Sequence, residues 1–245
     1  MDYRNYIFSK KEIFIHGIQG VSFCLGISYV FYDSYIAAIF LLPLLYVFFR
    51  MKREALAKER RQKLNKQFKD GILSISATLE AGYSMENAVQ QALEELKKIY
   101  EMKEPIIKEF NRMIRQLNFN VSIEELFVDL AARSGVEDIE TFAEVFTIAK
   151  RTGGDLIKII QNTAQVLNEK IETQEDIEVA VSGKQMEQRI MSMVPFGIIL
   201  YIRATSPDFL GALYGNLLGI VVMSICLLVY AFAYWLGKNV VEIEV

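Results

Sequence analysis

From Ile13 to Tyr32, twenty residues pass without an Asp, Glu, Lys or Arg. As a helix this run is about 30 Å long, the thickness of a bilayer's hydrocarbon core. Asp33-Ser34 interrupts it, and Tyr35 to Phe49 is again charge-free, ending at Arg50. The second run covers roughly 24 Å, and Tyr46 and Arg50 extend it by sitting at the interface. Pro43 within it is tolerated in a membrane helix and is a source of a kink. Two such runs joined by so short a loop predict a tight helical hairpin. A second hairpin is expected near the end of the chain. Ile190 to Ile202 is apolar but too short to cross alone, at about 20 Å. It reads as the outer part of a long helix from near Met186 to near Ser206, with Arg203 snorkelling to the far interface. Pro207-Asp208 marks the turn, and Phe209 to Gly237 carries no charge. Tyr234 and Trp235 close this last span where an aromatic belt is expected.

Between the hairpins the pattern changes to amphipathic helices with period 3.6, and no strand pattern occurs. Phe68, Ile72, Ile75 and Leu79 form one stripe, on a helix expected to continue straight out of the second span. Ala81-Gly82-Tyr83 stops it, with Gly82 suited to a left-handed cap. Ser84 is the expected N-cap of the next helix, which carries Met85, Ala88, Ala92, Leu96 and Ile99 on one side. Pro105 suits the first turn of a third helix with Ile106, Phe110, Ile114 and Leu117. After a turn at 118–121, Ser122-Ile123-Glu124-Glu125 fits a capping box, and that helix ends at Ser134-Gly135. The fifth helix, Glu137 to Arg151, presents Ile139, Phe142, Phe146 and Ile148. Gly153-Gly154 breaks the chain, Asp155 caps a sixth helix, and no stop separates that helix from the third span. Six helices with short connections predict an all-α bundle.

Charge sets the orientation. Between Arg50 and Lys66 lie eight Lys and Arg against Glu54 and Glu59, while the two hairpin loops hold only Arg203. Arg4, Lys10 and Lys11 precede the first span and Lys238 follows the last. The positive-inside rule then puts both termini and the central block in the cytoplasm. The expected plan is a cytoplasmic N-terminus at 1–12, a transmembrane hairpin at 13–49, a cytoplasmic six-helix bundle at 50–189, a second hairpin at 190–237 and a cytoplasmic C-terminus at 238–245. No secretory signal peptide is expected, because the first run lacks a small-x-small cleavage site and a second run follows at once.

Little in the sequence suggests chemistry. The formal charge of −3 carries no signal for nucleic acid, and none is expected as a partner. Cys24 and Cys226 both fall in apolar runs and read as small buried hydrophobes, giving neither a disulfide framework nor a metal spacing. The one histidine, His16, lies near the cytoplasmic interface and reads as an interfacial residue. A zinc site, a phosphate-binding loop and a cofactor are not expected. Gly153-Gly154 lacks the strand and lysine such a loop needs. The acidic run Glu172, Glu175, Asp176 and Glu178 reads first as a solvated face and second as a docking face for a basic partner. Arg53, Lys58, Arg60, Arg61 and Lys63 read as a topology signal in contact with lipid headgroups, worth roughly 1 kcal/mol per residue near an anionic leaflet, and then as a partner site.

Three stretches, taken in order, resemble a known family. They are Ile75-Ser76-Ala77-Thr78-Leu79-Glu80-Ala81-Gly82-Tyr83-Ser84 followed by Ala88, then Ala149-Lys150-Arg151-Thr152-Gly153-Gly154-Asp155-Leu156, then Met193-Val194-Pro195 with Ser206-Pro207-Asp208-Phe209. Each is a helix-cap pattern. Their order and membrane frame resemble the F-domain platform proteins of type II secretion and type IV pilus machines, and most the shorter single-domain form of tight-adherence (Flp pilus) systems, the TadB/TadC type. The F domain is expected at about 67–195, with Gly82, Ser84, Gly153, Gly154, Asp155 and Pro195 as its turn motifs. The resemblance implies a non-enzymatic platform of the inner membrane that contacts a hexameric assembly ATPase and passes pilin or pseudopilin subunits into a filament. Larger relatives carry two F domains. A chain with one is expected to pair with itself or with a second F-domain protein. A small-solute transporter and a membrane-bound signalling scaffold are the alternatives. A transporter needs polar groups along its spans, where this chain offers little beyond His16 and Arg203.

Overall fold

The computed structural model describes residues 3–4, 8, 10–33, 37–152, 155–206, 211, 214 and 216–241, and of these the side chains of 10, 11, 37–44, 217, 238 and 241 are left undescribed. Among the described residues there are eight helices and no strand. They are α1 (Lys10–Tyr32), α2 (Ala37–Glu80), α3 (Met85–Ile99), α4 (Pro105–Leu117), α5 (Ile123–Ser134), α6 (Glu137–Thr152), α7 (Leu156–Thr205) and α8 (Leu217–Val241). The chain divides into two compact units, Met1–Ile7 with Arg53–Thr173, and Phe8–Lys52 with Gln174–Val245. The division falls inside α2 and inside α7. The second and third expected spans are therefore the ends of long helices, in keeping with the missing stop signals.

The first unit is a helical bundle around one apolar core. Leu64, Phe68, Ile72 and Ile75 place the α2 stripe fully inside it. Phe68, Phe127, Phe142 and Phe146 form its aromatic centre: Phe127 meets Phe142 edge-on at 4.9 Å between ring centroids, and Phe68 meets Phe142 at 5.4 Å. Edge-to-face contacts of this kind suit the ring quadrupole. Gly71 lets α4 approach closely, since a Cβ there would lie 2.7 Å from Cζ of Phe110. Helix ends follow local chemistry. Gly82 has φ +87° just past α2, and the Ser84 hydroxyl accepts from the Asn87 amide to start α3. Pro105 occupies the first turn of α4. The Ser122 hydroxyl accepts from the Glu125 amide, and Gly135, at φ +61°, ends α5. A carboxylate oxygen of Asp155 accepts from the Lys158 amide at the start of α7.

Three expected stripes need correction. Ile99 is exposed and Met85 only half-buried, while Val89 and Leu93 join Ala88, Ala92 and Leu96 in the core. Ile148 on α6 is exposed, and Ala143 and Ala149 are buried instead. On α4, Ile114 and Leu117 are only partly buried, and Ile107 and Met113 take inner positions. In each case a wider helical face is covered than one stripe spaced by three or four residues, because neighbouring helices flank it on both sides.

The second unit comprises α1, the first part of α2, the second part of α7, and α8. Among the described residues, two helices are long and apolar enough to cross a membrane, Glu12–Tyr32 with mean hydropathy 1.5 and Leu218–Gly237 with mean hydropathy 2.2. Of the apolar window in the latter, 11% is buried within the protein. Cys24 is buried, but Cys226 is exposed, because α8 turns most of its apolar side chains outward. Gly17 and Gly20 allow α1 to pack on α2, the first beside Phe49 and the second beside Leu45 and Phe48. α7 and α8 pack antiparallel: Gln188 lies against Gly237, and Phe196 meets Tyr230 at 5.4 Å. The expected turn at Pro207-Asp208 lies outside the described residues, as do the side chains of Pro43 and Lys238.

Candidate functional site

The basic stretch of α2 divides according to what the bundle places beside each residue. Arg53 and Lys58 are exposed, and Arg60 and Arg61 are half-buried. The Arg60 guanidinium lies 4.7 Å from the centroid of the Tyr3 ring, a cation–π contact. Lys63 donates to Glu104 at 2.9 Å, and Gln67 donates to the other oxygen of that carboxylate at 2.8 Å. Hydrogen bonding from Lys63, opposed by partial burial and aided by Gln67, holds the Glu104 carboxyl below its usual range. Glu104 immediately precedes α4, where a negative charge also favours the helix dipole.

A second cluster of charge lies inside the bundle. Glu109 on α4 is 3% exposed and accepts two bonds from Arg133 of α5, at 3.0 and 2.8 Å. The same guanidinium donates to Asp129 at 2.9 Å, and Arg112 pairs with Asp129 at 3.2 Å. A buried carboxylate is tolerated because this forked donor meets both of its oxygens. Burial works against the Arg133 charge, yet the bonds to Glu109 and Asp129 outweigh it and raise the group's pKa. Tyr3 completes the cluster. Its ring is 1% exposed, its hydroxyl donates to Glu109 at 2.9 Å, and its amide donates to the Arg133 carbonyl at 2.9 Å. Burial first, then the Glu109 charge, pushes the Tyr3 hydroxyl well above its ordinary value, so it stays a donor at neutral pH.

The residues expected from the sequence to form turns do not converge on one place. Gly82 and Ser84 form the α2–α3 turn, and Asp155 caps α7. Pro195 lies inside α7 in the other unit, and Gly153 and Gly154 lie outside the described residues. Glu172, Glu175, Asp176 and Glu178 are exposed on α7. In the second unit His16 meets Gln19 at 3.1 Å through Nδ1, and its ring lies edge-on to Phe8. Arg203 does more than reach an interface. It pairs with Asp33, donates to the Tyr29 carbonyl at 2.9 Å and lies 4.0 Å from the centroid of the Tyr29 ring. Close by, the Tyr214 hydroxyl donates to the Val30 carbonyl at 2.8 Å. The end of α1 and the end of α7 are thereby clasped together.

Two features of the sequence could have pointed to these clusters. Glu109 interrupts the inner face of α4 between Ile106 and Met113, which is where a charge demands a partner. Arg203 is the lone cation of an apolar segment, with Asp33 the matching anion after the first span. Neither feature specifies which residue answers, since the pairs lie far apart in the chain.

The sequence profile of the type II secretion system protein F family matches residues 54–203, more than half of the chain. No curated protein and no solved structure matches at a significant level. The matched stretch takes in most of α2, all of α3 to α6 and almost all of α7. With its helical bundle, its two candidate spans at either end and this match over its central block, the chain belongs to the type II secretion system protein F family, an inner-membrane family of secretion and pilus platforms.

Proposed function

We infer that the chain is a non-enzymatic platform of a tight-adherence (Flp-type) pilus or type II secretion machine, coupling a cytoplasmic hexameric ATPase to the insertion of pilin or pseudopilin subunits into a filament. The observation that carries this reading is the continuity of two helices. α2 has 44 residues and α7 has 50, and each has residues in both compact units. Displacement of the bundle by an ATPase then acts on the membrane unit through helix backbone rather than through loops. The lysine and arginine distribution supports two hairpins with both termini and the bundle in the cytoplasm. The clasp of Asp33 with Arg203, which joins the end of α1 to the end of α7, supports two hairpins with their far ends on one side. Arg53, Lys58 and Arg61 are assigned to lipid headgroups and to the ATPase, with Arg60 and Lys63 serving the bundle itself. The one matched F-domain stretch, residues 54–203, favours pairing with a second copy or with another F-domain protein.

Two experiments test this. Affinity purification of the full chain from its own cells should bring down a P-loop ATPase, and Lys58→Glu with Arg61→Glu should weaken that capture without unfolding the bundle. Retrieval of no ATPase under cross-linking would count against the coupling. For topology, a cysteine at Gln116 in a variant lacking Cys24 and Cys226 should react with an impermeant thiol reagent only after the membrane is opened. Reaction in intact cells would overturn the orientation.

A further inference from the structure

Among the described residues, one face of α7 in the second unit stands uncovered. Val179, Gly183, Met186, Ile190, Met193 and Gly197 follow one another at alternating steps of four and three residues, so they form one stripe along the helix. All six belong to the second unit, and all are exposed. A Cβ added at Gly183 or at Gly197 would meet nothing within 4 Å. A different side of the helix serves the unit itself, where Phe196 packs on Tyr230 and the Ser192 carbonyl accepts from the Tyr230 hydroxyl.

The stripe crosses a change of surroundings. Just before Ile190 the helix carries Glu175, Asp176, Glu178, Lys184, Glu187 and Arg189, whereas Ile190 to Ile202 carries no charge. Lipid suits Ile190 and Met193 in the charge-free stretch. It does not account for the charged stretch, where Val179 is 73% exposed and Met186 66%. Single apolar residues on a surface are ordinary, but these two are in register with a stripe that runs on into the apolar span, and a continuous apolar face marks an interface.

Whatever covers this stripe must pass from polar to apolar surroundings at the same level and run alongside α7. A second copy of α7 meets both conditions, because it carries the same stripe and has the same orientation in the same bilayer. Two copies related by a two-fold axis along the helices then meet stripe to stripe. Gly183 and Gly197 let the backbones approach, while Val179, Met186 and Met193 fill the alternate positions. Charge does not oppose the contact. In a parallel pair the flanking residues that meet are five apart in sequence, Ser182 with Glu187 and Arg189 with Val194, so no like charges are brought together.

We propose that α7 pairs this chain with a second copy, in a parallel contact along the stripe from Val179 to Gly197. This surface rests on the reading that the F-domain chain pairs, and it takes the same chain as the partner.

Cysteine cross-linking of the full chain in native membranes tests it, in a background of Cys24→Ala and Cys226→Ala with copper-phenanthroline as oxidant. Met186→Cys and Met193→Cys should each give a disulfide-linked homodimer. Lys184→Cys and Met191→Cys, also exposed but off the stripe, should give about tenfold less. Adding Gly183→Ile with Gly197→Ile should cut the Met186→Cys product about tenfold by holding the backbones apart. The melting temperature should not fall, since both glycine positions are open within the chain. Equal linking at all four positions, none at Met186→Cys and Met193→Cys, or an undiminished product in the isoleucine variant would overturn this surface. Two differently tagged copies expressed together separate the failures. Co-purification without stripe cross-links rejects this face and leaves the pairing, and absence of co-purification rejects self-pairing itself.

Discussion

The Tyr230 hydroxyl of α8 donates to the backbone carbonyl of Ser192 on α7 at 2.9 Å, three residues before Pro195. A proline inside a helix cannot donate to the carbonyl four residues earlier, and its ring pushes the preceding turn open. The carbonyl so left without a donor is that of Met191, and the Tyr230 bond falls on the next residue of the same turn. Phe196 packs against Tyr230 and against Phe31, so α8 and α1 both brace the turn around Pro195.

Tyr230→Phe keeps the ring contact and removes the donor. The expected loss is about 1 kcal/mol, the net worth of one ordinary hydrogen bond. A thermal melt of the purified protein in detergent checks it, and an unchanged melting temperature would mean that the bond does not brace the turn.

Gly71 and Gly82 should fail for different reasons. At Gly71 a new Cβ meets the buried Phe110 ring at 2.7 Å, so Gly71→Ala should cost about 1–3 kcal/mol through overpacking. At Gly82 nothing lies within 4 Å of a new Cβ, but φ is +87°. Gly82→Val should cost roughly 1 kcal/mol or more through backbone strain. Combining Gly71→Ala with Phe110→Leu should recover part of the first loss and none of the second, as denaturant titrations of the variants will show.

The pairing of Glu104 with Lys63 and Gln67 predicts acid sensitivity. The folded pKa is held below the unfolded value of about 4.3, so the stabilisation is present above that pH and is lost as pH falls through the folded value. Urea unfolding measured from pH 6 downward should therefore show a steeper loss of stability in the wild type than in Glu104→Gln. Parallel curves would remove Glu104 from the acid response.

Neutralising the charges of the Asp33–Arg203 clasp offers a fourth check. Asp33→Asn and Arg203→Gln should each loosen the end of the second unit, and the double variant should lose less than the sum. The expected coupling is about 1 kcal/mol, since both groups retain partial exposure. Additive losses would show that the two residues do not act as a pair.

Much of the fold is legible without coordinates. Caps at Ser84, Ser122, Asp155 and the prolines follow from the hydrogen-bonding needs of helix ends, which are local. Stripe residues such as Ile99 and Ile148 differ for the opposite reason. Each has the correct spacing, but burial depends on which part of the helix a neighbour covers, and both stand exposed.

What the chain order alone determines here is periodicity, charge placement and helix ends, because each depends on residues within a turn or two of one another. From these come the all-helical class, the apolar spans and the uninterrupted passage of α2 and α7. Only the tertiary structure decided that Tyr3 belongs with Glu109 and that Arg203 belongs with Asp33. Those partners are 106 and 170 residues apart. Which of several chemically suitable groups meets a buried charge is settled by how helices pack, and no local pattern in the sequence encodes that choice.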